Sequence, residues 1–119
     1  MKRIYTFGHE QVERIITVGD IIENKQKGIK MTQVTAANQE EAEIISQQNI
    51  DMIITGSDWY EDVRKGAPNT FITAALFAGR YITNEEILRG AFEVMMAGAD
   101  SVLTPRSFDV VEMLAKEGM

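Results

Sequence analysis

The 119-residue chain has no cysteine. A disulfide framework, a thiol nucleophile and a cysteine-based zinc site are therefore excluded, and a reducing compartment is compatible with the composition. Histidine is nearly absent too. His9 is the only one, so the chain offers a single imidazole for acid/base work, and it precedes the repetitive part of the sequence. Clusters of basic residues are missing: 12 Lys and Arg stand against 18 Asp and Glu, a formal net charge of −6. An acidic chain is repelled by nucleic acid and by anionic membranes, which leaves a small soluble ligand or another protein as the expected partner. No stretch approaches the roughly 20 apolar residues of a membrane span. The opening MKRIYTFGHEQVERII lacks the apolar core of a signal peptide. A soluble, cytoplasmic protein is expected. P-loop, G-x-G-x-x-G, H-E-x-x-H and G-x-S-x-G patterns are all absent.

What is present is a recurrent alternation. From Met31 onward an apolar β-type run is followed by a helix-type run, and the pair occurs four times before Gly118 and Met119, where a fifth strand would be expected to start. Strands are expected over residues 30–36, 51–55, 69–76 and 100–104. Between them lie helices over residues 39–48, 58–65 and 85–97, with a last helix up to Gly118. Met52, Ile53 and Ile54 form an unbroken apolar run, as in a strand buried on both faces. Capping signals punctuate the helices. Thr17 opens one over residues 18–27 that stops at Gly28, with Val18, Ile21 and Ile22 on one apolar face. Thr83 and Glu86 form a T-x-x-E capping box, and Gly98 stands in the C′ position. Asn38, Asp58 and Ser107 are candidate N-caps. Ala42, Ile44 and Ile45 should face inward, as should Phe92, Val94, Met95 and Met96. Both prolines, Pro68 and Pro105, fall at expected turns.

The fold expected is therefore α/β: a parallel (βα)4 half of a TIM-type barrel over residues 30–119, preceded by an N-terminal helical extension over residues 1–29. A complete barrel takes about 250 residues. A weaker rival is an open flavodoxin-like sheet. Half a barrel leaves open parallel edges and half a core uncovered, so a homo-oligomer or a complementary half-barrel chain is the expected partner.

Four stretches carry a family resemblance. They are VGDIIENKQKGIKMTQVTA (residues 18–36), DMIITGS (51–57), VRKGAPN (63–69) and EVMMAGADSV (93–102). In that order the chain resembles ketopantoate hydroxymethyltransferase (3-methyl-2-oxobutanoate hydroxymethyltransferase), within the phosphoenolpyruvate mutase and isocitrate lyase superfamily. The resemblance runs from Thr17 to Met119 and corresponds to the first half of that family's barrel. It implies one-carbon transfer from methylene-tetrahydrofolate to a small 2-oxoacid, with Mg2+ chelating the oxoacid and stabilising its enolate. Such chemistry needs oxygen ligands for a hard cation at the strand ends.

The tips depart from the family pattern. Thr-Ala-Tyr-Asp of the first strand is here Thr35-Ala36-Ala37-Asn38, and Gly-Asp-Ser of the second is Gly56-Ser57-Asp58. Ala-Asp-Leu-Pro-Phe of the third is Thr73-Ala74-Ala75-Leu76-Phe77, without a carboxylate. A Lys and a Glu near residues 103–105 are missing, although Arg106 follows, and a loop after the second strand is shortened around Trp59 and Tyr60. Asp58 is the remaining candidate metal ligand. Thr35, Asn38, Ser57 and Arg106 are the candidate substrate contacts, and Arg80 could neutralise an anion. Trp59 and Tyr60 are placed either as a lid or as packing residues. A scaffold retained for ligand binding or assembly, without catalysis, is the alternative function.

Overall fold

The computed structural model describes residues 1–77, 80–104 and 108–119. Its N-terminus is a β-hairpin, not the helical extension expected for residues 1–29. Strands Lys2–Tyr5 (β1) and Gln11–Arg14 (β2) pair antiparallel, with Ile4 opposite Val12 and Lys2 opposite Arg14. Val12, the one apolar residue of QVER, stands opposite Ile4 of KRIY, so the two strands are matched by cross-strand pairing with little apolar pattern of their own. The Thr6 N–H donates to the Glu10 carbonyl and the His9 N–H to the Thr6 carbonyl, both at 2.9 Å. His9 takes a left-handed conformation (φ 64°) to close that turn.

The helical part of the expectation begins at Val18. Helix α1 (Val18–Lys27) is opened by a reciprocal Thr17–Asp20 capping box and closed by Gly28 at φ 70°. Its apolar face is not covered: Val18 and Ile22 are about half exposed and no residue of the helix is buried. Caps and periodicity therefore form this helix without a core behind it.

Four βα units follow. They are strands Gln33–Thr35 (β3), Met52–Gly56 (β4), Phe71–Ala75 (β5) and Ser101–Leu103 (β6), with helices Gln39–Ser46 (α2), Tyr60–Gly66 (α3), Asn84–Met96 (α4) and Phe108–Lys116 (α5). All four strands are parallel and lie in sequence order, β3-β4-β5-β6. That order lacks the reversal of a flavodoxin-like sheet. Ile53, Ile72, Ala74 and Val102 point to one side, where they pack with Ala42, Val63, Val94, Met95, Ile87 and Val110 from the helices. The pleat sends the alternate residues to the other face, so Thr35, Ile54, Thr73 and Ser101 form one row there. Within it the Thr73 and Ser101 hydroxyls are 2.6 Å apart.

Several side chains differ from expectation. Ile44 is exposed while Ala42 and Ile45 pack inward, and Phe92 and Met96 stay about half exposed beside buried Val94 and Met95. One helix face can be buried here, and these residues lie off it. Phe92 instead meets Phe7 of the hairpin turn edge-to-face at 5.5 Å. The expected cap Ser107 lies outside the described residues.

A buried ionic network ties the hairpin to the sheet. Arg14, 2% exposed, donates from Nε to both Asp100 oxygens at 2.8 and 3.0 Å, and from its other nitrogens to the carbonyls of Glu13, Pro68 and Gly98. Arg64 donates to Asp100 at 2.8 Å and to the Tyr60 phenol at 2.9 Å, and the Ile72 N–H donates to Asp100 at 2.9 Å. Asp100 thus precedes β6 as an acceptor for two guanidiniums. Burial pushes the Tyr60 phenol's pKa up, with Arg64 opposing.

Candidate functional site

The C-terminal ends of parallel strands are where an α/β sheet leaves room for a ligand. Here β4 ends in Gly56, and the chain turns through a short 3-10 segment, Ser57–Trp59, before α3. Asp58 does not cap α3. The cap position is Trp59, no side chain bonds there, and Asp58 instead forms an ion pair with Arg80. A 3-10 turn between strand and helix carries Asp58 away from the N-terminal amides it was expected to satisfy. Both partners of the pair are well exposed, so it contributes roughly 0–1 kcal/mol.

Two clefts meet at this turn. A polar one of about 230 Å3 is lined by Ser57, Asp58, Glu61, Arg80, Tyr81 and Glu93 among others. Its Ser57 hydroxyl shares a hydrogen bond with the Tyr81 phenol at 3.2 Å. Three carboxylates against one guanidinium leave this cleft without net attraction for an anion. An apolar cavity of about 200 Å3 lies beside it, between Thr35, Ile54, Gly56, Ala75, Leu103 and the rings of Trp59 and Phe77.

The expected site residues therefore divide. Ser57 and Asp58 share the polar cleft, Thr35 lines the apolar cavity, and Asn38 is committed to its helix, accepting from the Glu41 N–H at 2.9 Å as N-cap of α2. Arg106 lies outside the described residues. Trp59 and Tyr60 have opposite fates: Tyr60 is buried with Arg64, while Trp59 stays 44% exposed at the cavity mouth. A hard cation such as Mg2+ takes several oxygen ligands. Among the described residues no group of three or more His, Asp or Glu is arranged to hold a metal ion, and Asp58 is already engaged by Arg80. These residues do not by themselves fit a Mg2+ site.

Two contributors escaped the sequence reading, and glycines mark both. Tyr81 rests on Gly90, where an added Cβ would come within 2.4 Å of its ring, and Phe77 rests on Gly56, where it would come within 2.5 Å. A glycine inside a helix costs about 1 kcal/mol relative to alanine, so Gly90 in α4 was the available signal. Among the described residues no helix is long and apolar enough to cross a membrane. A comparison with models of known protein families finds no match, and a comparison with curated proteins finds none either.

Proposed function

We propose that the chain is the (βα)4 half of a ketopantoate hydroxymethyltransferase-like barrel and binds a small 2-oxoacid at the C-terminal ends of its strands. The observation that carries this reading is the one-sided sheet. Four parallel strands in sequence order keep their helices on one face, and the uncovered face opens at β4 into a cavity beside Ser57, Asp58, Arg80 and Tyr81. The order of the four family-like stretches agrees with it.

Binding follows from the groups at the tip. The hydrocarbon part of the oxoacid occupies the apolar cavity, and its carboxylate takes Arg80 from Asp58. The pair it replaces is exposed and worth at most about 1 kcal/mol, and the guanidinium exchanges one charge-assisted partner for another against the net negative charge of the cleft, so the carboxylate adds little and the apolar cavity carries most of the binding. Asp58 is then released as the one free carboxylate of this turn, next to the Ser57 hydroxyl. In the family Mg2+ polarises the oxoacid toward its enolate. On this chain Mg2+ needs ligands beyond the described residues, and methylene-tetrahydrofolate enters only through the resemblance.

The uncovered face also calls for a partner. Leu103, Trp59 and Phe77 are each between 44% and 49% exposed there, and a second half-barrel, from another copy or a separate chain, is the cover proposed. A monodisperse monomer at micromolar concentration in sedimentation velocity would exclude it. Neutralisation of Asp58 by Arg80 favours a second reading, in which the scaffold binds the oxoacid without catalysis. Exchange of the C3 proton of 3-methyl-2-oxobutanoate into D2O separates the two. Exchange that disappears in the Ser57→Ala/Asp58→Ala protein supports enolisation; exchange at the background rate, with Mg2+ present, leaves binding alone.

A further inference from the structure

Gly56 is the last residue of β4, and its missing Cβ is filled by aromatic rings. A Cβ built there would stand 2.5 Å from Phe77 Cε2 and 2.9 Å from its Cζ, with Trp59 Cε3 at 3.5 Å. The two rings meet edge-to-face, centroids 6.1 Å apart, so each fixes the other over the bare backbone of the strand tip. They come from different loops, Trp59 from the turn after β4 and Phe77 from the segment after β5, yet both line the same cavity.

We infer that Trp59 and Phe77 are the specificity-determining residues of this site: seated on Gly56, they form the aromatic wall that admits a compact aliphatic group and rejects an aromatic one. The inference rests on the proposed oxoacid site and adds to it the group that selects the ligand. Three observations on size and chemistry carry it. The cavity holds about 200 Å3, below the roughly 300–1,000 Å3 of pockets for drug-sized ligands, so it takes a fragment of a few carbons. Its other walls are apolar except for Thr35 and Thr55, so the fragment is largely hydrocarbon. The rings are nearly half exposed at 44% and 47%, which leaves them apolar surface for contact with an aliphatic group, whereas neighbouring Tyr60 and Leu76 are each 1% exposed and packed away. Phe77 already fills the space over Gly56 at the strand tip.

Trp59 is the only tryptophan of the chain, so its emission reports on this wall directly. The experiment titrates the whole chain with three probes: 3-methyl-2-oxobutanoate, its neutral analogue 3-methylbutan-2-one, and phenylpyruvate. It then repeats the series on Phe77→Ala, whose exposed site tolerates truncation, with thermal unfolding confirming the fold. The expected result is a saturable emission change with the two branched probes and none with phenylpyruvate. Phe77→Ala weakens the branched probes about tenfold, the loss of roughly two methylenes of apolar contact, and admits phenylpyruvate. Saturation by the ketone without the oxoacid upholds the aromatic wall and counts against the oxoacid reading. Saturation by the oxoacid that Phe77→Ala leaves unchanged upholds the oxoacid reading and overturns the wall. No response to any probe, or equal response to phenylpyruvate in the parent protein, also overturns it.

Discussion

Asp100→Ala removes the one carboxylate that both Arg14 and Arg64 donate to. Arg14 retains carbonyl partners, but its charge, on a side chain only 3% exposed, loses its counter-ion. Breaking a buried pair in this way costs about 3–5 kcal/mol, because the remaining charge stays desolvated. Net stability of a domain is about 5–15 kcal/mol, so roughly a fifth or more is lost. At this chain length ~4 °C of melting temperature accompanies each kcal/mol, which gives a drop of roughly 12–20 °C. The assay is urea and thermal unfolding followed by circular dichroism. Arg14→Met alone should also destabilise, since Asp100 then has only Arg64 and the Ile72 amide. Combining Arg14→Met with Asp100→Leu should cost much less than the sum of the single changes, by at least about 2 kcal/mol, as apolar groups replace both charges. A loss under about 1 kcal/mol for Asp100→Ala, or strict additivity in the double variant, would show that Asp100 does not hold the two guanidiniums as a desolvated, coupled network.

Three further outcomes are expected. Gly90→Ala should fail to give the gain of about 1 kcal/mol that alanine brings to a helix interior, because the new methyl displaces the Tyr81 ring; in a Tyr81→Ala background the gain should return, read by chemical denaturation. Thr55→Val should be neutral or stabilising by up to ~1 kcal/mol, since the Thr55 hydroxyl is buried with no hydrogen-bond partner among the described residues; a loss above ~1 kcal/mol would show that it is satisfied. Tyr60 makes stability fall at alkaline pH. Its folded pKa is raised, so the unfolded chain gives up the phenol proton first, and stability present below about pH 10 declines as pH rises from there through the folded pKa. Tyr60→Phe should flatten that decline even though it loses the bond from Arg64.

Local chemistry made much of the fold legible. Thr17 with Asp20, Thr83 with Glu86, and the glycines at 28 and 98 mark helix ends through bonds made within a few residues, and each cap forms as its sequence implies. The apolar run at Met52 to Ile54 marks β4, although its bonds are made to distant strands and only Ile53 of the three is buried, since the other face of the sheet is uncovered. The hairpin was less legible: its strands have four residues each, and Lys2, Arg3, Glu13 and Arg14 break up any apolar signal. Arg14 reads as a surface charge until residues 14, 64 and 100 meet in space. At the candidate site, Ser57 and Asp58 were readable from their place after a strand, but the partners they take were not. Tyr81 and Arg80 lie more than 20 residues away, and only the closing of the β5 segment over β4 brings them to that turn.

The proposed binding of a small 2-oxoacid at the C-terminal end of β4 is tested by recording amide 1H–15N spectra while 3-methyl-2-oxobutanoate is added. Saturable shifts concentrated at Thr35, Gly56, Ser57, Trp59, Phe77, Arg80 and Tyr81 are the expected result. Shifts centred on the groove between the hairpin and α1, at Ile4, Phe7 and Gly19, or no saturable shift at all, would contradict it.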